Sequence, residues 1–328
     1  PDEVVAVELE RAAGRAQQRG GVAAAAALMQ RAAELSDTPA LRAQRALSAA
    51  HACLHAGELD RAESLLAIAS ATQIDGRHET RASRLRAQIL FARRRAGAAD
   101  SLQETARRLR DVDADLARDA YLEAMGAAVL AGRSRPDDVR TVALSSQDVI
   151  AAKPSNELDV RDLLLDGVSR RFVGGFSDGV PGMRGAIREF RTATTTGPQG
   201  AVGWLWVACP VAPEPIALEL WDDDAWYDLA TQATQTARAA GALSTLPTAL
   251  TYLGGVLLMA GQVAASSSAI EEANSIAVAT GGDPLPYATL LLDAWRGEEE
   301  TARSTFEHEL ERAERQGEGR AIGAVKLA

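Results

Sequence analysis

The chain is short of cysteine, lysine, aromatic side chains and long apolar runs, and each shortage excludes something. Its 328 residues hold two cysteines, Cys53 and Cys209, far apart in sequence. That is no disulfide framework, and a reducing, cytoplasmic location is expected. Aromatic residues make up 4% of the chain, so its core is not built around large rings. Lys153 and Lys326 are the only lysines, and the formal net charge is −10. A sequence-independent nucleic-acid binder needs a positive surface, so direct nucleic-acid binding is not expected of this chain. No apolar run approaches the ~18 residues of a membrane span. The start, PDEVVAVELERAA, is acidic and helix-like, unlike a signal peptide. No G-x-x-x-x-G-K-[ST] occurs, so no phosphate loop is present and no cofactor is expected.

What the chain does have is a rhythm of alanine-rich helices and glycine turns. The hydrophobic fraction is 47%, and alanine supplies much of it, which suits closely packed helices with thin interfaces. The organising stretch is His55 to Ala69, HAGELDRAESLLAIA. Gly57 turns the chain, and Leu59, Ala62, Leu65, Leu66 and Ala69 then fall at helical spacing on one apolar face. Looser copies start at Gly21 and Gly97, near Gly132, Gly175 and Asp222, and at Gly261 and Gly297. The intervals, roughly 35 to 47 residues, are those of two-helix solenoid repeats.

These features predict an all-α, tetratricopeptide-like helix-turn-helix repeat solenoid, a right-handed superhelix running as one array over 1–328. Helices are expected at 2–18, 22–35, 39–56, 59–71, 78–96, 99–110 and 113–131, with Pro136 in the first turn of the next. The glycine-rich stretch Val173 to Gly185 reads as an interruption, and a seam is expected near 192–200, where threonines meet Gly197, Pro198 and Gly200. The end, GEGRAIGAVKLA, reads as a helix just starting, as in a piece cut from something longer. An apolar face left open over Ala321 to Leu327 would favour self-association into a homo-oligomer.

Several motifs invite chemistry. Gly175-Phe176-Ser177-Asp178-Gly179 matches the G-x-S-x-G nucleophile elbow. The elbow needs a preceding strand, yet LLLDGVSRRFV reads as helix, and the only downstream histidine is His308. A helix-connecting turn is expected instead, and no enzymatic activity. His51, Cys53 and His55 form H-x-C-x-H, but in a helix Cys53 points away from the two histidines, and no second Cys/His pair lies near to complete a metal site. The arginine runs 93–95 and 107–108 read as solvated helix ends.

Trp204, Trp206, Trp221 and Trp226 cluster in a chain poor in aromatics, and Trp221 and Trp226 flank three acids. Asp222 reads as an N-cap, and the next two acids suit the positive end of a helix. A solenoid groove lined by aromatics and a few polar groups is the default ligand site. The candidate wall residues are Trp206, Trp226 and Tyr227, with Asp223 or Asp224 as polar contacts.

Four stretches carry a resemblance: 8–35 (ELERAAGRAQQRGGVAAAAALMQRAAEL), 41–69 (LRAQRALSAAHACLHAGELDRAESLLAIA), 204–230 (WLWVACPVAPEPIALELWDDDAWYDLA) and 295–323 (WRGEEETARSTFEHELERAERQGEGRAIG). In this order they resemble the helical middle region of large ATP-binding LuxR-type transcriptional regulators of the maltose-regulator type. The resemblance implies a sensor and coupling region that recognises a small inducer or a protein partner and self-associates. It also implies ATP only in an N-terminal module and DNA binding only in a C-terminal helix-turn-helix, neither of which this chain shows. The rival reading is a protein–protein scaffold with no small-molecule site.

Overall fold

The computed structural model describes residues 1–71, 76–93, 97–132, 136–154, 157–192 and 211–328. Among them lie 17 helices and no strand. The first ten are α1 (Glu3–Gln18), α2 (Val22–Leu35), α3 (Pro39–Ala56), α4 (Leu59–Ser70), α5 (Gly76–Ala92), α6 (Ala98–Arg110), α7 (Ala114–Ala131), α8 (Pro136–Ala151), α9 (Val160–Gly174) and α10 (Phe176–Thr192). Then come α11 (Pro213–Glu219), α12 (Asp223–Ala240), α13 (Leu246–Met259), α14 (Val263–Ala279), α15 (Pro286–Arg296), α16 (Glu299–Gln316) and α17 (Gly319–Leu327). The seam expected near 192–200 falls, beyond Thr192, outside the described residues, as do Trp204, Trp206 and Cys209.

Local chemistry sets the helix ends. Asp2, Thr38, Asp113, Asp159 and Asp222 each cap an N-terminus by accepting a backbone N–H from the first turn. Pro39 occupies the first turn of α3, where its missing N–H costs nothing. Gly57 ends α3 at φ +82°, and α4 begins two residues later.

Consecutive helices pack as antiparallel neighbours, and alanine sets their spacing. Ala26, Ala46, Ala49, Ala50 and Ala62 are fully buried in a core shared by α2 to α5. A second core runs from α5 to α13, filled by Tyr121, Met125, Leu164, Leu165 and Met183. The two cores meet in α5, so burial is continuous from α2 to α13, as neighbouring solenoid repeats require.

The glycine-rich stretch 173–185 holds the expected turn, at Gly175 with φ +111° between α9 and α10, but the helix resumes at once and runs through Gly185 with Pro181 inside it. Within α10, Gly179 and Gly182 serve close approach rather than turning. A Cβ on Gly182 would sit 2.8 Å from the Cα of Gly167 in α9, and one on Gly179 would sit 2.5 Å from the Gly167 carbonyl oxygen. Only hydrogen fits between these two backbones.

The array also coils back onto itself. The α1–α2 turn meets the α12–α13 turn, where a Cβ on Gly241 would lie 2.7 Å from the Gly20 carbonyl oxygen. The α3–α4 turn meets the same region: Ser244 Oγ donates to the His55 carbonyl at 2.8 Å, and Gly57 faces Thr280. Further along, Gly132 abuts Gly319 and Arg320 at the start of α17. That last contact corrects the expectation of an open terminal face. Ala321 and Val325 of α17 are buried, and the helix packs on α7, α15 and α16.

Candidate functional site

The coil curves around an open chamber of about 780 Å³. Its wall comes mainly from α1, α3 and α5, with contributions from α2, α7, α9 and the end of α12. Helical spacing explains the lining. On α3, Gln44, Ser48, His51 and His55 recur at intervals of three and four, a single stripe. On α5 the same interval brings His78, Arg81, Arg84 and Gln88 to the lumen. The opposite faces of these helices carry the apolar residues that build the core.

Along the lumen wall runs a chain of ion pairs that joins successive repeats. Arg84 grips the fully buried Glu123 of α7 with Nη2 at 2.6 Å and Nε at 3.2 Å, and Gln88 Nε2 donates to the same carboxylate at 2.7 Å. Burial pushes the Glu123 carboxyl up, and these three donors oppose it. Burial likewise disfavours the Arg84 charge, but Glu123 and Asp119 outweigh it, so the guanidinium stays above its ordinary value. Asp119 also takes Arg161 of α9 at 3.0 Å. On the first repeat, Arg45 of α3 is buried against Glu3 at 2.7 Å and Glu10 at 3.1 Å.

Against this paired background, three features stand out. Arg81 projects into the chamber and, among the described residues, makes no ion pair or hydrogen bond. His51 and His55 stack edge to face, with ring centroids 4.5 Å apart and their Nε2 atoms at 3.3 Å. Enclosure by the chamber wall, then mutual repulsion and the charge of Arg84, lower the His51 pKa to about 3; enclosure and Arg84 lower that of His55 to about 4. His51 is itself exposed at the cavity, which moderates this desolvation. Both imidazoles are neutral at pH 7 and offer one donor and one acceptor each.

Sequence reasoning paired His51 with His55 on one face, and the structure agrees. His51 is exposed on the cavity wall, and His55 is half-buried beside it. Cys53 points away into the core, where burial and then Glu58 push its thiol up to about 11. Among the described residues no group of three His, Cys, Asp or Glu could hold a metal ion. The stripe on α5 was missed. Its signal was present: polar residues at helical spacing opposite an apolar face, including Arg81 and Arg84 flanked by Ala82 and Leu85.

The aromatic–acidic cluster lies elsewhere. Trp226 is only 5% exposed and packs beside Gly255 of α13. Its neighbour Tyr227 is 44% exposed, and Asp223 and Asp224 lie exposed in the first turn of α12. Asp222 caps that helix by accepting from Ala225 N at 3.0 Å. Trp221 is 87% exposed and adopts φ +58°, unusual for a bulky residue. None of these side chains lines the chamber. Ser177 sits in the first turn of α10 behind a helix, not a strand, so the elbow geometry is missing. Arg107 and Arg108 pair with Glu104 on their own helix, as solvated helix-end residues do. Among the described residues, no helix is long and apolar enough to cross a membrane.

No protein-family model matches the chain, and no curated protein matches its sequence. Among solved structures, a Rap protein complexed with competence and sporulation factor is similar to it, with a TM-score of 0.55 and 14% identity. The match covers 98% of this chain and 89% of that one. At such identity the likeness is one of fold, and it supports the assignment the helices make by themselves: an all-α, tetratricopeptide-like repeat solenoid.

Proposed function

We propose that this chain is the sensor and interaction region of a LuxR-type transcriptional activator, in which a small inducer occupies the chamber. One observation carries the reading. His55 belongs to two structures at once, its ring lining the chamber and its backbone carbonyl receiving Ser244 at the closure of the coil. A ligand that favours one setting of His55 biases the closed coil against an open one, and attached modules can read that difference. The similar Rap structure was solved in complex with a factor, which supports recognition as a use for this architecture.

A thermal-shift screen of metabolites tests the sensing half, because a ligand that binds only the folded state raises Tm. A hit should also slow amide exchange across 239–245, opposite the Gly20 and Gly57 turns. Hits that leave those amides unchanged would separate binding from closure and count against the sensor role. The full reading frame tests the regulator half: a phosphate loop upstream and a helix-turn-helix downstream support it.

The second reading, a partner-binding scaffold, is favoured by the outer surface. Trp221, Asp223, Asp224 and Tyr227 present an aromatic and acidic patch at the start of α12. Under this reading they contact a protein partner or a second copy, and the chamber is only structural. Substituting Trp221 and Tyr227 would then abolish capture or self-association while leaving any chamber ligand unaffected.

A further inference from the structure

Resting on the sensor reading, we infer that the chamber is a site for a small organic anion, a carboxylate or phosphate ester, seated between Arg81 and the His51–His55 pair. The cavity of about 780 Å³ is within the range of small-molecule sites, ~300–1,000 Å³. In a chain of net charge −10, it presents a guanidinium with no partner among the described residues. The charged groups around it are otherwise matched. From α1, Glu10 pairs with Arg45. From α7, Asp119 and Glu123 pair with Arg84 and with Arg161 of α9. His78 of α5 completes the wall. What remains to be neutralised is Arg81, and the imidazole pair, whose Nε2 atoms share one hydrogen bond, lines the same cavity. A guanidinium binds carboxylate or phosphate through two parallel N–H bonds, and imidazole N–H groups supply further donors.

Occupancy then has a consequence for protons. Without ligand, enclosure and Arg84 keep the pair neutral. An anion beside the pair favours the charged imidazolium and draws a proton onto it. The proton comes from solvent or buffer, and the anion's charge is met by the imidazolium formed. If one histidine returns to an ordinary value of ~6.5, affinity should rise about fourfold from pH 7.5 to pH 6.

Isothermal titration of the full chain decides the matter. The probes are succinate, inorganic phosphate and ethane-1,2-disulfonate, the last keeping its charge fixed across this pH range, with maltose as a neutral comparison. The expected result is saturable binding of at least one anion, stronger at pH 6, with a heat that depends on the buffer's ionisation enthalpy because a proton is taken up. Arg81→Gln should weaken that binding at least tenfold. The double change His51→Gln, His55→Gln should leave binding measurable but remove both the pH dependence and the buffer dependence. Circular dichroism checks that each variant folds. Saturable binding by none of the anions, or binding indifferent to Arg81→Gln in a folded variant, overturns the inference. A neutral hit from the metabolite screen that binds in the chamber would sink the anion inference and leave the sensor reading standing. An anion that binds without slowing exchange at 239–245 would do the reverse.

Discussion

Replacing Gly20 with alanine probes the closure of the coil, and the cost can be worked from two sources. Gly20 holds φ at +79°. A residue with a Cβ is strained there by about 1–2 kcal/mol. The added methyl would also overlap the Ala239 carbonyl oxygen and lie 3.1 Å from its carbon and 3.2 Å from the Ala240 Cα. These are backbone atoms at the end of α12, so no flexible side chain can step aside. Overpacking of this kind costs about 1–3 kcal/mol, for a total of about 2–5 kcal/mol. Gly261 supplies the control. Its φ is +74°, but no atom lies within 4 Å of its would-be Cβ, so Gly261→Ala carries the backbone strain alone. Urea unfolding of both variants, followed by circular dichroism, should show Gly20→Ala the weaker by about 1–3 kcal/mol. If the coil relieves the overlap by opening, the stability gap shrinks. Small-angle scattering then shows a larger radius of gyration, and amides at 239–245 exchange faster. Equal stability of the two variants, together with unchanged scattering and exchange, would refute closure at this turn.

Other outcomes follow from buried groups. Glu123→Ala strands Arg84 without its buried partner and should cost about 3–5 kcal/mol in urea unfolding; a loss under ~1 kcal/mol would mean water already relieves that pair. Glu214 is buried with no partner for Oε2 among the described residues, and burial raises its pKa to about 7 from an ordinary 4.5. Folding thus favours its protonated form, so its contribution is full below pH 4.5, declines through pH 7 and is gone above it. The total is on the order of 3 kcal/mol. Glu214→Gln should flatten stability between pH 5 and pH 8, and an unchanged slope in urea midpoints would assign that pH dependence to another group. Trp226→Ala should cost about 3–5 kcal/mol, whereas Tyr227→Ala should fall within ~0.5 kcal/mol of wild type; similar losses from both would contradict their different burial.

The helices were legible because their signals are local. Thr38-Pro39 opens α3 and Gly57 closes it, and the expected 22–35 and 39–56 match α2 and α3 residue for residue. The glycines of α10 were misread because one residue type serves two purposes. Gly179 and Gly182 look like turn formers along the chain, and only the backbone of α9 a few ångströms away shows them as contacts. The chamber was half legible. His51 and His55 announce a shared face, but that this face looks inward depends on how many repeats coil before the chain meets itself. No periodicity within one repeat encodes that number. The aromatic cluster attracted attention because aromatics are rare, yet rarity does not say which side of a helix is buried, and Trp226 went to the core.

The closure is built to be weak, and that bears on what it can do. At the His55 turn it rests on the His55 carbonyl, which accepts from Ser244 Oγ at 2.8 Å and from Ser244 N at 3.4 Å, and on glycine backbones meeting at Gly20, Gly57 and Gly241. A cavity of about 130 Å³ beside Ser244, Pro247 and Thr280 leaves the junction incompletely packed. A single hydrogen bond contributes about 0.5–1.5 kcal/mol net, and glycine contacts bury little apolar area. The repeats themselves are far more firmly joined, by continuous apolar cores and by ion pairs between α5, α7 and α9. Opening therefore breaks the seam before it breaks the array, so the two states share their secondary structure and differ mainly in curvature. A ligand needs a differential affinity of only about 1.4 kcal/mol to change their ratio tenfold. On the proposed sensor reading, a chamber ligand touching the His55 ring would act on the residue whose carbonyl anchors Ser244, and so would place that modest energy at the seam of the coil.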